Sequence, residues 1–144
     1  RLSGEQRERL VPGDTGKNKP AANWEFRSLE GAGALRSTAR DLLGFLQANI
    51  GGTAHPAGDL LQDAHRVLHE EAGGPAVGMA WMVERKSGII WHNGATGGYA
   101  SFLGFNKESK TGVVVLSNYE HASRHHVESV DGIGFLVLRL LGNH

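Results

Sequence analysis

The 144-residue sequence contains no cysteine, so it has no disulfide framework, no thiol nucleophile and no thiolate metal site. It has no surplus of either charge, because 15 Lys and Arg balance 15 Asp and Glu, which argues against an electrostatic nucleic-acid binder. No apolar run reaches the roughly 20 residues of a membrane span. The best candidate, residues 133–141, is short and contains Arg139. With 40 % hydrophobic residues, this composition is neither disordered nor membrane-like.

Glycine is the residue present in excess. The 21 glycines among 144 residues make up about 15 %, roughly twice the usual share. The length matches a single domain. The sequence begins at Arg1, with neither an initiator Met nor a signal peptide. We therefore expect it to be a piece of a longer protein, and the sequence leaves its compartment open.

The hydrophobic pattern predicts an α/β domain of the α+β type, in which helices pack on both faces of an antiparallel sheet. Residues 1–23 are interpreted as an irregular leader, because Pro and Gly are scattered there among charges. Residues 24–144 carry the regular structure. One helix is expected to begin at Thr38, with Asp41 completing a capping box, and to end at Gly51-Gly52. A second helix is expected over residues 57–72.

About four strands are predicted next, over residues 77–83, 88–92, 99–105 and 111–117. The first of them is apolar on both faces, which is typical of a sheet covered on both sides. The pattern becomes helical again from about Ser123. This last helix is apolar nearly all round beyond Gly132, which predicts that it is deeply packed.

The residues most suggestive of chemistry lie in the stretch 91–99, WHNGATGGY. Residues i and i+2 of a strand share a face, so His92 and Gly94 are expected side by side with Asn93 opposite. A polar side chain beside a glycine on an exposed strand edge forms a shelf for a substrate carbonyl. The N–H groups just past Gly94 could hold a developing oxyanion. A strand end followed by a flexible turn, with His92 on the surface, also explains the pattern.

Three blocks in this order resemble the C-terminal part of the serine β-lactamase-like hydrolases, which include class C β-lactamases, D-stereospecific peptidases and related esterases. They are residues 31–46 (GAGALRSTARDLLGFL), His92-Asn93-Gly94 with Gly97-Gly98-Tyr99, and residues 102–105 running into 113–118. The resemblance covers at least residues 24–118. It implies the C-terminal portion of the β-lactamase/transpeptidase-like fold, no cofactor and a periplasmic or exported protein.

The resemblance also implies roles for individual residues. His92 takes the first place of the third catalytic motif, Gly94 keeps the strand edge clear, and the backbone N–H of Ala95 forms half of an oxyanion hole. His92, Asn93 and Gly94 would contact the substrate, and Asn118 would lie near the rim of the cleft. Because histidine is a less permanent cation than the lysine usual at this place, the resemblance favours a peptidase or esterase over a β-lactamase.

The sequence departs from this family in its nucleophile. None of the nine serines has Lys three residues on, and neither Tyr99 nor Tyr119 has Asn two residues on. The Ser-x-x-Lys and Tyr-x-Asn motifs, which lie upstream in the family, are therefore missing. Acyl transfer needs an activated nucleophile, so we expect the chain to be inactive alone, and its partners to be a missing N-terminal segment and a small acyl substrate.

Two alternatives remain open for this departure. A non-catalytic β-lactamase-like binding or interaction domain would keep the fold without the nucleophile. Self-association into a homo-oligomer would cover apolar sheet surface that missing elements leave exposed. Neither alternative involves nucleic acid or a membrane span.

Three further patterns have simpler explanations than chemistry. The K-T-G at residues 110–112 lies at a predicted hairpin turn and is interpreted as coincidence. His65 and His69 are spaced i, i+4 without a third ligand, so a solvated helix face is preferred to a metal pair. The remaining cluster is assigned to a polar loop and comprises His121, His125 and His126. No metal site is predicted.

Overall fold

The computed structural model describes residues 2–15, 19–51, 56–70, 72–119 and 129–142. Its helices are α1 (Gly4–Glu8), α2 (Ala39–Ile50), α3 (Gly58–Ala64) and α4 (Val130–Gly142), with a 3-10 turn at Glu30–Ala32. Its strands are β1 (Ala76–Val77), β2 (Met82–Glu84), β3 (Ile89–Thr96), β4 (Tyr99–Asn106) and β5 (Thr111–Ser117). The strands form one antiparallel sheet in chain order. The α+β prediction is therefore confirmed.

Helix α2 begins and ends where its local sequence predicts. The Thr38 hydroxyl accepts the backbone N–H of Asp41 and donates to its carboxylate, at 3.2 and 2.9 Å. This cap satisfies one of the donors that a helix start leaves unpaired. At the other end Gly51 adopts φ 88°, the left-handed conformation that glycine reaches without steric cost.

Two hydrophobic clusters hold helices against opposite faces of the sheet. The cluster on the α2 and α3 side centres on Leu46, Trp81, Ile90 and Phe105. The cluster on the α4 side centres on Ile89, Ala100, Phe102, Val130 and Leu138. Ile89 and Ile90 belong to different clusters because neighbouring strand residues point to opposite faces. Neither cluster includes a residue of β3 beyond Trp91, so the second half of this strand extends past the core.

The sheet has five strands, and the prediction of about four is corrected at residues 77–83. Val77 of β1 pairs with Met82 of β2, so this segment turns back on itself. Ala80 lies in the turn with φ 63°. At Gly78 a Cβ would stand 2.7 Å from the Ala64 carbonyl oxygen, so a larger residue would not fit. The sequence pattern did not predict this break, because the apolar residues on both faces resemble one continuous buried strand.

Helix α3 is shorter than the predicted 57–72. After Ala64, backbone groups of the chain form hydrogen bonds with β1 instead of continuing the helix. His65 caps the helix. The N–H groups of Leu68 and His69 donate to the Val77 carbonyl oxygen at 2.8 and 3.0 Å, and the Val77 N–H donates to the His69 carbonyl oxygen. The residues expected to extend the helix therefore border the sheet instead.

Helix α4 packs through one stripe, and the prediction of deep burial is wrong. Gly134 and Leu138 are buried, whereas Leu136 and Leu140 are 51 % and 59 % exposed. A helix lying on one side of a sheet buries only the face that contacts the strands. The predicted start near residue 123 lies outside the described residues. In the described ranges, no helix is long and apolar enough to cross a membrane.

Candidate active site

The second half of β3 has one paired edge and one free edge. On one side β4 pairs with every residue of β3, from Ile89↔Asn106 to Thr96↔Tyr99. On the other side β2 pairs only with residues 89–91, ending at Met82↔Trp91. Within the described part of the chain, residues 92–96 therefore present an edge that no other strand covers.

The turn geometry fixes which backbone groups face this free edge. Thr96 and Tyr99 flank a two-residue turn, which makes them a hydrogen-bonded pair, and such pairs alternate with non-bonded pairs along an antiparallel ladder. The N–H groups of His92 and Gly94 therefore point towards β4. The N–H groups of Asn93 and Ala95 point away from β4, in the plane of the sheet, and face the free edge. The Ala95 N–H is thus an outward donor on an exposed residue.

His92 and Gly94 share one face of β3, as the strand period predicts, and both are exposed. The described residues offer the His92 imidazole no hydrogen bond. A Cβ on Gly94 would lie 3.5 Å from Ser101 Oγ, an ordinary van der Waals distance, and Gly94 has no left-handed φ. The packing of this chain therefore does not require glycine at position 94, and its effect is to keep the edge clear.

The side chain of Asn93 lies on the opposite face. Its Nδ2 donates to Asp131 Oδ2 of α4 at 2.8 Å, and Asp131 is 8 % exposed. The amide is therefore turned away from the shelf formed by His92 and Gly94. Any contact of Asn93 with a ligand at the free edge is left to its backbone.

The leader packs against the turn between β3 and β4. The Asp14 N–H donates to the carbonyl oxygens of Gly98 and Asn118 at 3.2 and 2.8 Å, and the Tyr99 hydroxyl donates to the Val11 carbonyl oxygen at 2.6 Å. At Gly98, with φ 81°, a Cβ would stand 2.7 Å from the Asp14 nitrogen. The turn is therefore packed by the leader, contrary to the flexible turn that the sequence left open.

This leader was interpreted as irregular over residues 1–23, and the structure corrects part of that interpretation. Helix α1 begins with a capping box, in which Ser3 Oγ accepts from the Gln6 N–H and Gln6 Oε1 accepts from the Ser3 N–H. Later in the chain, Gly33 lies beside Thr96 of β3. A Cβ built at Gly33 would stand 3.2 Å from Thr96 Cγ2. Two of the three blocks noted in the sequence therefore meet at the end of β3.

The family model for β-lactamase matches residues 2–132, most of the chain. The chain belongs to the β-lactamase family. A comparison with curated proteins found no match. Membership agrees with the resemblance carried by residues 31–46 and 92–99, and it places this five-stranded sheet with its flanking helices in a hydrolase family.

Asn118 of this β-lactamase-family chain lies directly after β5, at the same end of the sheet as the turn Gly97-Gly98. Its side chain is exposed, and its Nδ2 donates to the Pro12 carbonyl oxygen at 2.9 Å. Two strands separate it from the free edge, since Ser117 pairs with Ala100 and Ala100 pairs with Ala95. The contact observed for this side chain is with the leader.

The histidine pair at positions 65 and 69 is not a solvated helix face. His65 is 7 % exposed, and its Nε2 lies 2.9 Å from Asn49 Oδ1. Burial, and secondly the charge of Lys107, lower the pKa of His65 to about 4. The sequence argument failed because it extended α3 to residue 72, which placed both histidines on one helix.

The K-T-G at residues 110–112 lies away from the free edge of β3. Lys110 lies in the β4–β5 turn with φ 54°, at the end of β4 opposite Tyr99, as the sequence predicted. Among the described residues no three His, Cys, Asp or Glu side chains are grouped to hold a metal ion. The cluster His121, His125 and His126 lies outside the described residues.

Proposed function

We propose that this chain is the C-terminal part of a serine hydrolase of the β-lactamase family, and that the free edge of β3 binds the acyl group of the substrate. The observation that carries this proposal is the outward N–H of Ala95, on an exposed edge beside His92 and Gly94. Oxyanion stabilisation needs donors fixed before reaction begins. Here the complete β3–β4 ladder and the packed turn fix the strand that carries the donor.

The nucleophile is assigned to a serine outside these 144 residues, because no Ser-x-x-Lys occurs within them. Its Oγ attacks the carbonyl carbon, and the C=O electron pair moves onto oxygen, where the Ala95 N–H stabilises it. A base, which like the serine is assigned outside these 144 residues, takes the hydroxyl proton and passes it to the leaving group. Collapse of the intermediate then expels an alcohol or amine and leaves an acyl-enzyme. Water then hydrolyses the acyl-enzyme. The missing N-terminal segment of the same protein is thus the partner that completes the site.

Esters and amides are the substrate class we favour over β-lactams. Recognition of a β-lactam carboxylate favours a permanent cation such as lysine, and position 92 carries histidine instead. The absence of a side chain at Gly94 leaves room for an extended acyl group along the edge. His92, which has no partner among the described residues, is positioned to contact that group.

The test uses the longer gene product that contains this chain, beside the 144-residue chain alone. A fluorophosphonate probe should add one serine adduct to the longer protein and none to the chain, as read by intact mass. A p-nitrophenyl ester and a D-amino-acid amide should turn over with the longer protein, faster than nitrocefin. A longer protein with neither adduct nor turnover contradicts the proposal, as does hydrolysis by the chain alone.

A non-catalytic binding domain is the second candidate, favoured by the same absence of Ser-x-x-Lys. It predicts that the longer gene product also lacks this motif and gains no adduct. Ligand binding at the β3 edge would then occur without turnover, which calorimetry with an uncleaved ester analogue would detect.

Replacing Gly94 with valine in the longer protein is expected to lower kcat/KM by about 100-fold, the scale of losing one oxyanion contact. The added side chain would occupy the space along the edge, while the strand itself has room for it beside Ser101. Ester hydrolysis measures the loss, and the melting temperature should change little. Gly142→Val is the matched control, since no atom lies within 4 Å of a Cβ at Gly142. Unchanged hydrolysis by Gly94→Val would refute this use of the edge.

A further inference from the structure

We propose that Asp131 is a positioning residue. It fixes the position of the free edge of β3 by accepting a hydrogen bond from the Asn93 side chain, on the face of the sheet that packs against α4. This inference rests on the proposed function for its effect on catalysis. Asn93 Nδ2 donates to Asp131 Oδ2 at 2.8 Å, across 38 positions of sequence. Asn93 lies between the two shelf residues, and its backbone N–H faces the same edge as that of Ala95.

The surroundings of the Asp131 carboxylate lower the stability of the fold. This cost argues that the residue is kept for a further role. The residue is 8 % exposed, and its Oδ1 has no hydrogen-bond partner among the described residues. A buried acceptor without a partner destabilises a fold, because its desolvation is not compensated by a hydrogen bond. Its place in the first turn of α4 offsets part of this cost, since helix N-termini favour negative charge. Within the described ranges, the hydrogen bond to the Asp131 side chain comes from Asn93.

The helix that carries Asp131 is fixed relative to the strand beside Asn93. Gly134 lies so close to Phe102 that a Cβ would overlap the ring, and Phe102 is fully buried. Phe102 is also the register partner of Asn93 in the β3–β4 ladder. Asp131 is therefore held by the same close packing that borders Asn93, and it offers Asn93 an acceptor at a fixed place.

The free half of β3 benefits from such a support because β2 is too short to pair with it. Residues 89–91 are held between β2 and β4, whereas residues 92–96 are held by β4 alone. A strand paired on one side opens more readily than one paired on both sides. The Asn93–Asp131 contact replaces part of the missing support without covering the edge itself.

Amide exchange in the 144-residue chain tests this support without reference to activity. Asp131→Ala should speed exchange at the β4-facing N–H groups of Gly94 and Thr96 by about tenfold. Exchange at Phe105, which is fully buried and pairs with Ile90 in the covered half of β3, should stay unchanged. Asn93→Ala should produce the same pattern and covers the case in which Asp131→Ala fails to fold. Asp131→Asn, which keeps an acceptor, should restore slow exchange. Asp59→Ala, another acidic residue in a helix first turn, is the matched control.

Kinetics in the longer protein test the consequence. Asp131→Ala should lower kcat by about tenfold with little change in KM, because a displaced donor weakens transition-state binding more than substrate binding. The double variant with Asn93→Ala should lose no more than either single variant. Unchanged exchange at Gly94 overturns the positioning role, as does faster exchange with unchanged kcat. Faster exchange in a longer protein that neither gains an adduct nor hydrolyses esters overturns the proposed function and leaves the support of the edge standing.

Discussion

Replacing Gly134 with alanine should destabilise the chain by about 3 kcal/mol, at the upper end of the cost of overpacking a core. The new methyl group would overlap the ring of Phe102. That ring cannot move aside easily, because it is fully buried and packs against Trp91 and Phe135, with ring centroids 5.9 and 5.1 Å away. Relief would require α4 to lift from the sheet, which would also open the Leu138 contact with Gly104.

The matched substitution is Gly44→Ala in α2. No atom lies within 4 Å of a Cβ at Gly44, which is exposed, so the change should stabilise the chain by about 0.5–1 kcal/mol through helix propensity. Urea unfolding of both variants measures the two effects. The substitution and the type of secondary structure are the same, so opposite signs isolate packing from propensity. A stabilising Gly134→Ala would show that α4 does not lie on Phe102 as described.

Local signals explain the parts of the fold that the sequence predicts well. The bounds of α2 follow from the side chain of Thr38 and the left-handed Gly51, both within one turn of the helix end. The shared face of His92 and Gly94 follows from the strand period alone. These features depend on neighbours in sequence, which the pattern of residues records directly.

Long-range contacts explain the parts that the sequence could not predict. The break near Gly78 depends on the approach of Ala64. The closing of the β3–β4 turn depends on Val11, which lies 88 positions before Tyr99. A pattern of apolar residues says that a face is buried but does not identify the element that buries it. The exposed half of α4 was missed for the same reason.

The candidate site shows the same division between local and distant information. The strand period predicts that Asn93 points away from His92, but only the fold reveals Asp131 as its partner. The register and the short turn are needed to orient the Ala95 N–H. No pattern within these 144 residues marks a nucleophile, because none of their serines begins a Ser-x-x-Lys.

Acidification should destabilise the chain through His65, by as much as about 3 kcal/mol between pH 6.5 and pH 4. Burial, with a smaller contribution from Lys107, lowers the pKa of His65 from 6.5 to about 4. The unfolded chain therefore binds the proton first as the pH falls. Stability from this residue is complete above pH 6.5 and is lost progressively down to about pH 4, below which both states are protonated.

The contacts of His65 explain why the folded chain resists this proton. Asn49 Nδ2 donates to the Phe45 carbonyl oxygen, so Asn49 Oδ1 accepts from His65 Nε2. The unprotonated Nδ1 is buried without a partner among the described residues, and Lys107 contributes the nearby positive charge. His65→Gln should therefore flatten the dependence of the unfolding free energy on pH, measured by urea titration from pH 4 to 7. The control His69→Gln, at an exposed position, should keep the original slope, and equal slopes for both variants would exclude His65 as its source.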